Sequence, residues 1–370
     1  MNLKVPDHIR SIPAYVPGKP IEEVERERGI RGSIKLASNE NPLGPSPKAI
    51  EAVRGVLAGV HRYPESGGFE LTRRLAGRLK LTPEHIVLGN GSDDIIAMLG
   101  KAFLQPGDEV VMARPSFHMY EIVTRAAGAV PVEVPLKAFH NDLAAMAAKL
   151  TPRTRLVFLN TPHNPTGTIV GRAELEAFMA TLPAAVILVL DEAYIEFVRA
   201  PGGPDSADYV RAGRLVAGLR TFSKVYGLAG LRVGYGLMPP AVAEVLNRVR
   251  QPFNVNLPAQ KAAAAALDDD EFLSETLRVV HAGVDYLQRA LGALGLECLP
   301  THSNFLFFRV PKPACEVFEN LLDRGVIVRP LASYGYPEHL RVSVGRPEEN
   351  ARFVEALRQV LGGVRRGQRA

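Results

Sequence analysis

The chain has 370 residues, 46% of them hydrophobic and 22% charged, with 33 glycines and 29 prolines. That length suits two or three domains with a core that needs neither disulfides nor metal, and the composition excludes a disordered or fibrous chain. The net charge of +5 is inflated by Arg365, Arg366 and Arg369, and without a basic run in the body or zinc-finger spacing it does not indicate nucleic acid.

The first 30 residues carry Pro6, Pro13, Pro17 and Pro20 and then a charged stretch from Glu22 to Arg28. This predicts an extended arm followed by a short helix, and the lack of an apolar run predicts no signal peptide. Helical spacing follows over 70–80 and 93–103, with further helices at 142–150 and 173–182. Apolar strands are predicted at 86–90, 109–113, 130–134, 155–160, 185–191 and 214–220. Short Val/Ile/Leu runs separated by helices predict an α/β fold, a mostly parallel sheet covered by helices on both faces. After residue 255 the pattern changes. Residues 259–294 read as one or two helices, and strands follow at 304–310, 326–330 and 340–345. The expected organisation is a large domain over 31–255 and a smaller α+β domain built from 1–30 and 256–370. No run of about 18 apolar residues occurs, so no membrane span and a cytoplasmic protein are expected. Cys298 and Cys315 form no CxxC pair and read as small buried side chains.

Function in such a sheet is expected at the carboxyl ends of its strands. Unusual clusters fall there: Gly89–Asp94, Arg114–Tyr120, Asn160–Gly167, Asp191–Phe197 and Thr221–Lys224. Lys224 follows an apolar strand and precedes a Gly-rich loop. Alone it reads as a surface lysine or as an amine held partly neutral for Schiff-base chemistry. Asp191 ends the run AVILVLD, where an unpaired carboxylate is costly to bury. It reads as a helix cap or as the partner of a cation such as a protonated pyridine nitrogen. Gly89-Asn90-Gly91-Ser92-Asp93 joins a strand to a helix, an arrangement that offers backbone N–H groups to phosphate. It matches neither the dinucleotide fingerprint nor the P-loop. Asn164-Pro165-Thr166-Gly167 reads as a turn or as a ligand contact through Asn164.

The order GNGSD, NPTG, DEAY and SK, with Arg232 eight residues after the lysine, resembles the fold-type I aminotransferases that use pyridoxal 5'-phosphate (PLP). The likeness spans nearly the whole chain. YVPGKP (15–20), LASNENPLGPSP (36–47), RYPE (62–65), RTFSKVYGLAGLRVGYG (220–236), VIVRP (326–330) and HLRVSVGRPEEN (339–350) are similar to the histidinol-phosphate aminotransferase subfamily, which includes members that act on aromatic amino acids.

The resemblance implies that Lys224 carries PLP as an aldimine and shuttles the proton, and that Asp191 keeps the ring nitrogen protonated. It places Asn164 and Tyr194 on the ring hydroxyl oxygen and Phe117 on the ring face. It sets the phosphate on Gly91, Ser92 and Asp93, enclosed by Thr221, Ser223 and Arg232. Tyr63 would reach the phosphate of a neighbouring subunit in a homodimer. Tyr15, Asn304, Arg329 and Arg341 would bind substrate. The implied reaction is a ping-pong transfer between histidinol phosphate and glutamate/2-oxoglutarate. An aromatic-amino-acid aminotransferase, an enzyme of dual specificity, and a decarboxylase or lyase of the same fold remain open. A regulator would need a DNA-binding module, and only about 30 residues precede LASNENP. No metal is expected, since no HExxH spacing occurs. ASNENP and HNPTG depart from the more usual NANENP and NNPTG, which puts His163 beside the Asn164 turn.

Overall fold

The computed structural model describes residues 3–14 and 18–362, so Tyr15 and the C-terminal arginines lie outside the described residues. Twelve strands form among them. They are β1 (Ile34–Lys35), β2 (Ile86–Gly89), β3 (Glu109–Arg114), β4 (Val130–Pro135), β5 (Thr154–Asn160), β6 (Ile187–Asp191), β7 (Val216–Thr221), β8 (Gly234–Leu237), β9 (Phe305–Arg309), β10 (Val326–Ile327), β11 (Arg329–Pro330) and β12 (His339–Ser343). Seven make a central sheet in the order β2-β8-β7-β6-β5-β3-β4. Strands β3 to β7 run parallel, and β8 runs antiparallel to both β2 and β7.

Side chains alternate across this sheet, as the pleat requires. Val111, Val157, Leu159, Leu188, Leu190 and Val216 enter one core. Val110, Met112, Leu156, Phe158, Ile187, Val189, Ala217 and Leu219 enter another on the opposite face. Both faces are therefore covered, which is why these strands read as continuous apolar runs.

Strand β8 was hidden in what the sequence suggests is a Gly-rich loop. Its glycines answer to crowding. A Cβ at Gly234 would lie 2.5 Å from the Ser92 nitrogen, and one at Gly236 would lie 2.5 Å from Met238 Cε. The expected strand over 326–330 divides into β10 and β11. The first pairs with β1, while the second joins the antiparallel sheet β11-β12-β9.

The helical stretch expected over 259–294 forms two helices, Leu257–Ala266 and Asp270–Ala293. The first packs on helices Pro47–Val56 and Phe69–Leu79. Near the N-terminus, helix Ile21–Arg28 buries Val24 in a small core with Ala37, Leu322 and Ile327. Cys298 is half-buried, but Cys315 is exposed on helix Ala314–Leu322, contrary to its reading as a buried residue. Among the described residues no helix is long and apolar enough to cross a membrane.

Candidate active site

A cavity of about 260 Å³ opens where β5, β6 and β7 end, beside β11 and β12. It is lined by Ser92, Asp93, Phe117, Asn164, Asp191, Tyr194, Thr221, Ser223, Lys224 and Arg232 from the central sheet's side, and by Arg329 and Arg341 from the smaller sheet. The parallel strands bring their carboxyl ends to one edge, which is where such sheets place ligands.

Strand β6 delivers Asp191, only 6% exposed. Its Oδ2 accepts from the Tyr120 hydroxyl at 2.5 Å and its Oδ1 from the Ala193 N–H at 3.2 Å. Burial pushes the carboxyl up to about 6, against the pull of these donors. Tyr120 is fully buried, stacked on Phe158 with ring centroids 4.5 Å apart, and meets Phe117 edge-on.

Lys224 follows β7 and donates to the Ser38 carbonyl at 3.0 Å, with its ammonium 5.9 Å from the Tyr194 ring centre. Burial first, and then the charge of Arg341, pull the amine down to about 8. Burial likewise pushes the Tyr194 phenol up to about 12.

Helix Ser92–Phe103 points its N-terminus at the cavity. Gly91 forms its N-cap with φ of 79°, and a Cβ there would sit 2.5 Å from Arg232 Nη2. Arg232 lies 3.6 Å from Asp93, whose carboxyl is raised by burial. Thr221 and Ser223 share a 2.9 Å hydroxyl bond on the adjoining wall. Unpaired N–H groups of a helix start, two hydroxyls and a guanidinium together make a donor set suited to a phosphate.

The opposite wall is cationic. Arg329 and Arg341 are register partners on β11 and β12. Arg341 is buried, donating to Asn164 Oδ1 at 2.5 Å and to the Ala37 carbonyl at 2.8 Å, and it lies over the Phe305 ring.

One expected contact falls elsewhere, and Tyr63 is expected at a neighbouring subunit's site rather than at this one. Asn304 does not line the cavity. It is fully buried one layer behind, where its amide is turned to the Asn39 carbonyl at 3.0 Å. Tyr63 is 82% exposed and stacks on Phe253 at 4.6 Å, away from this chain's own cavity. His163 is fully buried with Nδ1 3.0 Å from the Thr166 hydroxyl, and burial drives it down to about 3, so it stays neutral.

Sequence reasoning assigned no role to Tyr120, Asn39, Ser38 or Tyr334, which complete the site. Tyr120 carried a usable signal, since it belongs to the same strand-end cluster as Phe117, three residues before it.

A family model for aminotransferase class I and II matches residues 31–357. The chain is 50% identical over 359 residues to a histidinol-phosphate aminotransferase of Moorella thermoacetica, covering 97% of this chain and 93% of that protein. It is 49% identical over 355 residues to histidinol-phosphate aminotransferase 2 of Pseudomonas aeruginosa, covering 95% and 96%. Among solved structures it is similar to the histidinol-phosphate aminotransferase of Sinorhizobium meliloti in complex with pyridoxal-5'-phosphate. The TM-score is 0.89 at 27% identity, with 98% of this chain and 99% of that one covered.

Proposed function

The chain belongs to the class I and II aminotransferases, and from that premise we infer that it moves an amino group from histidinol phosphate to 2-oxoglutarate, with PLP as cofactor, in histidine biosynthesis. The observation that carries this reading is one cavity holding a lysine of lowered basicity, a buried carboxylate and two arginines, in a chain about half identical to relatives of that name.

The residues fit the cofactor. Its phosphate would rest on the Ser92 and Asp93 N–H groups, with Thr221, Ser223 and Arg232 around it. Gly91 and Gly234 keep this cradle clear, since a Cβ at either would fall 2.5 Å from Arg232 Nη2 or the Ser92 nitrogen. When bound, PLP supplies a carbonyl that takes the amino group and a ring that accepts the electron pair left at the substrate Cα.

Asp191 holds a proton on the ring nitrogen. Its contacts within the chain are donors, and a buried carboxylate calls for a cation. Lys224 takes and returns the Cα proton, because an amine near pKa 8 is substantially neutral under mild alkaline conditions. Phe117 would cover a ring face, and Asn164 and Tyr194, which line the same cavity, would hold the ring oxygen. Arg341 holds the carboxylate of glutamate, and Arg329 joins it in holding the phosphate of histidinol phosphate.

Exposed Leu57, Val60, Tyr63, Phe69 and Phe253 support a homodimer in which Tyr63 completes the neighbour's phosphate site. A cytoplasmic location, and the division into a large domain over 31–255 and a small one from 1–30 and 256–370, belong to the same proposal.

The test is spectroscopic. Histidinol phosphate should bleach the visible band of the PLP-loaded protein, and 2-oxoglutarate should restore it. A loaded protein that histidinol phosphate leaves unchanged would overturn the substrate assignment. A higher catalytic efficiency with phenylalanine would overturn it in favour of an aromatic-amino-acid aminotransferase.

A further inference from the structure

We propose that Asn39 is a positioning residue that sets the direction of the Tyr194 hydroxyl, so that the phenol donates its hydrogen to an oxygen bound in the cavity. The inference rests on the cofactor reading above and adds a residue to it.

Asn39 is buried and has φ of 56°. Asparagine tolerates this left-handed backbone better than most residues, but glycine would serve as well. The side chain does something further. The Asn39 N–H donates to Ser343 Oγ at 2.8 Å, and Ser343 Oγ donates to Asn39 Oδ1 at 3.0 Å. A hydroxyl has one hydrogen, and here it is spent on Oδ1. The amide is thereby oriented with its oxygen toward Ser343 and its nitrogen toward Tyr194. That nitrogen donates to the Tyr194 oxygen at 2.9 Å. Asn304 fixes the other side by donating to the Asn39 carbonyl.

An amide NH2 group donates and does not accept. Tyr194 therefore cannot give its hydrogen to Asn39 and keeps it for another acceptor, and its side chain lines the cavity. The charged and titratable groups around the phenol act in both directions. Arg341 favours its ionised form, as does the Asn39 bond, while burial, Asp191 and Tyr334 oppose it. Lys224 faces the ring. The result is a neutral phenol whose acidity Asn39 enhances. Ser343 belongs to β12 and Tyr194 follows β6, so this chain of bonds ties the smaller sheet to the ring-oxygen contact.

The experiment follows the visible absorbance of the PLP-loaded protein against pH. An oxygen that loses a hydrogen-bond donor becomes more basic, and a proton shared with it leaves at higher pH. In Asn39→Asp a carboxylate oxygen takes the phenol hydrogen away from the bound oxygen. The absorbance midpoint should rise by about one pH unit. Asn39→Gly keeps the backbone conformation without the amide and should raise it by less. Tyr194→Phe should raise it at least as far as Asn39→Asp, and the Asn39→Asp/Tyr194→Phe double variant should match Tyr194→Phe.

A wild-type midpoint in Asn39→Gly, or in a folded Asn39→Asp, while Tyr194→Phe shifts would overturn the proposal, whatever happens to the melting temperature. Additive shifts in the double variant would overturn it too. A wild-type protein that develops no band with PLP overturns the cofactor reading itself, and that result is seen before any variant is made.

Discussion

At the level of single residues, reactivity is set by what surrounds each polar atom. The Lys224 amine, pulled down to about 8 by burial and by Arg341, is largely protonated below pH 7 and largely neutral above pH 9. Labelling of the PLP-free protein by an aldehyde should therefore rise with pH through a midpoint near 8, far below that of a free lysine. Arg341→Gln removes a neighbouring positive charge, so the midpoint should move up and labelling at pH 7.5 should slow. Lys224→Ala should abolish turnover. Tyr120 presents a parallel case at Asp191. Tyr120→Phe removes the phenol donor, so the carboxyl should rise further above 6 and carry its proton more often at neutral pH. We expect a loss of about 1–3 kcal/mol in urea unfolding and weaker PLP binding in an equilibrium titration. The carboxylate and the lysine were legible because each ends an apolar strand in a recognisable motif. Tyr120 and Asn39 were not legible, because their importance lies in partners far along the chain, Asp191 for one and Ser343 and Tyr194 for the other.

Between elements, the ends of β6 and β7 are joined by a buried ion pair next to the reacting groups. Arg220 Nε donates to Glu192 Oε2 at 2.9 Å and Arg220 Nη2 to Asp205 at 2.6 Å. Glu192 also accepts from the Ser206 N–H and hydroxyl. Arg220→Met would leave Glu192 charged and buried, and should cost about 3–5 kcal/mol in urea unfolding at pH 7.5. The Arg220→Met/Glu192→Gln double variant should recover much of that loss, since no charge is left buried. The same strands show which parts of the fold a sequence can reveal. Strands β3 and β5 to β7 were readable because both their faces are buried and their apolar runs are unbroken. Strand β8 was not, because crowding by Ser92 and Met238 demands glycine where strand propensity would ask for bulk. The break between β10 and β11 was invisible too, since VIVRP is one short run with no turn residue between its halves and only their different partners separate them.

Across the whole molecule, the cofactor and a second copy of the chain bear on the same site. PLP at a hundredfold its Kd should stabilise the protein by roughly 2.7 kcal/mol against urea. Gly91→Ala, which places a methyl on Arg232, should lose most of that gain at the same PLP concentration, and because Gly91 is buried with φ of 79° the PLP-free protein should be destabilised as well, so the quantity to compare is the stabilisation that PLP adds to each protein. A failure to see this difference would remove Gly91 from the phosphate site. Tyr63 gives the sharper test of assembly. It is 82% exposed and distant from its own cavity, so a role at the phosphate requires another chain. Tyr63→Ala should weaken PLP binding, and Lys224→Ala should be inactive. Mixed in equal amounts at limiting PLP and allowed to exchange, the two variants should form a hybrid. One of its two sites would have Lys224 from one chain and Tyr63 from the other, and the opposite site would lack both. Random pairing makes half the dimers hybrid, so activity should recover to about a quarter of the wild type. If Tyr63 acts within its own chain, or not at all on the site, mixing yields only the activity of the Tyr63→Ala protein diluted by an inactive partner. Sedimentation of the same mixture checks that the particles have twice the 40.2 kDa chain mass.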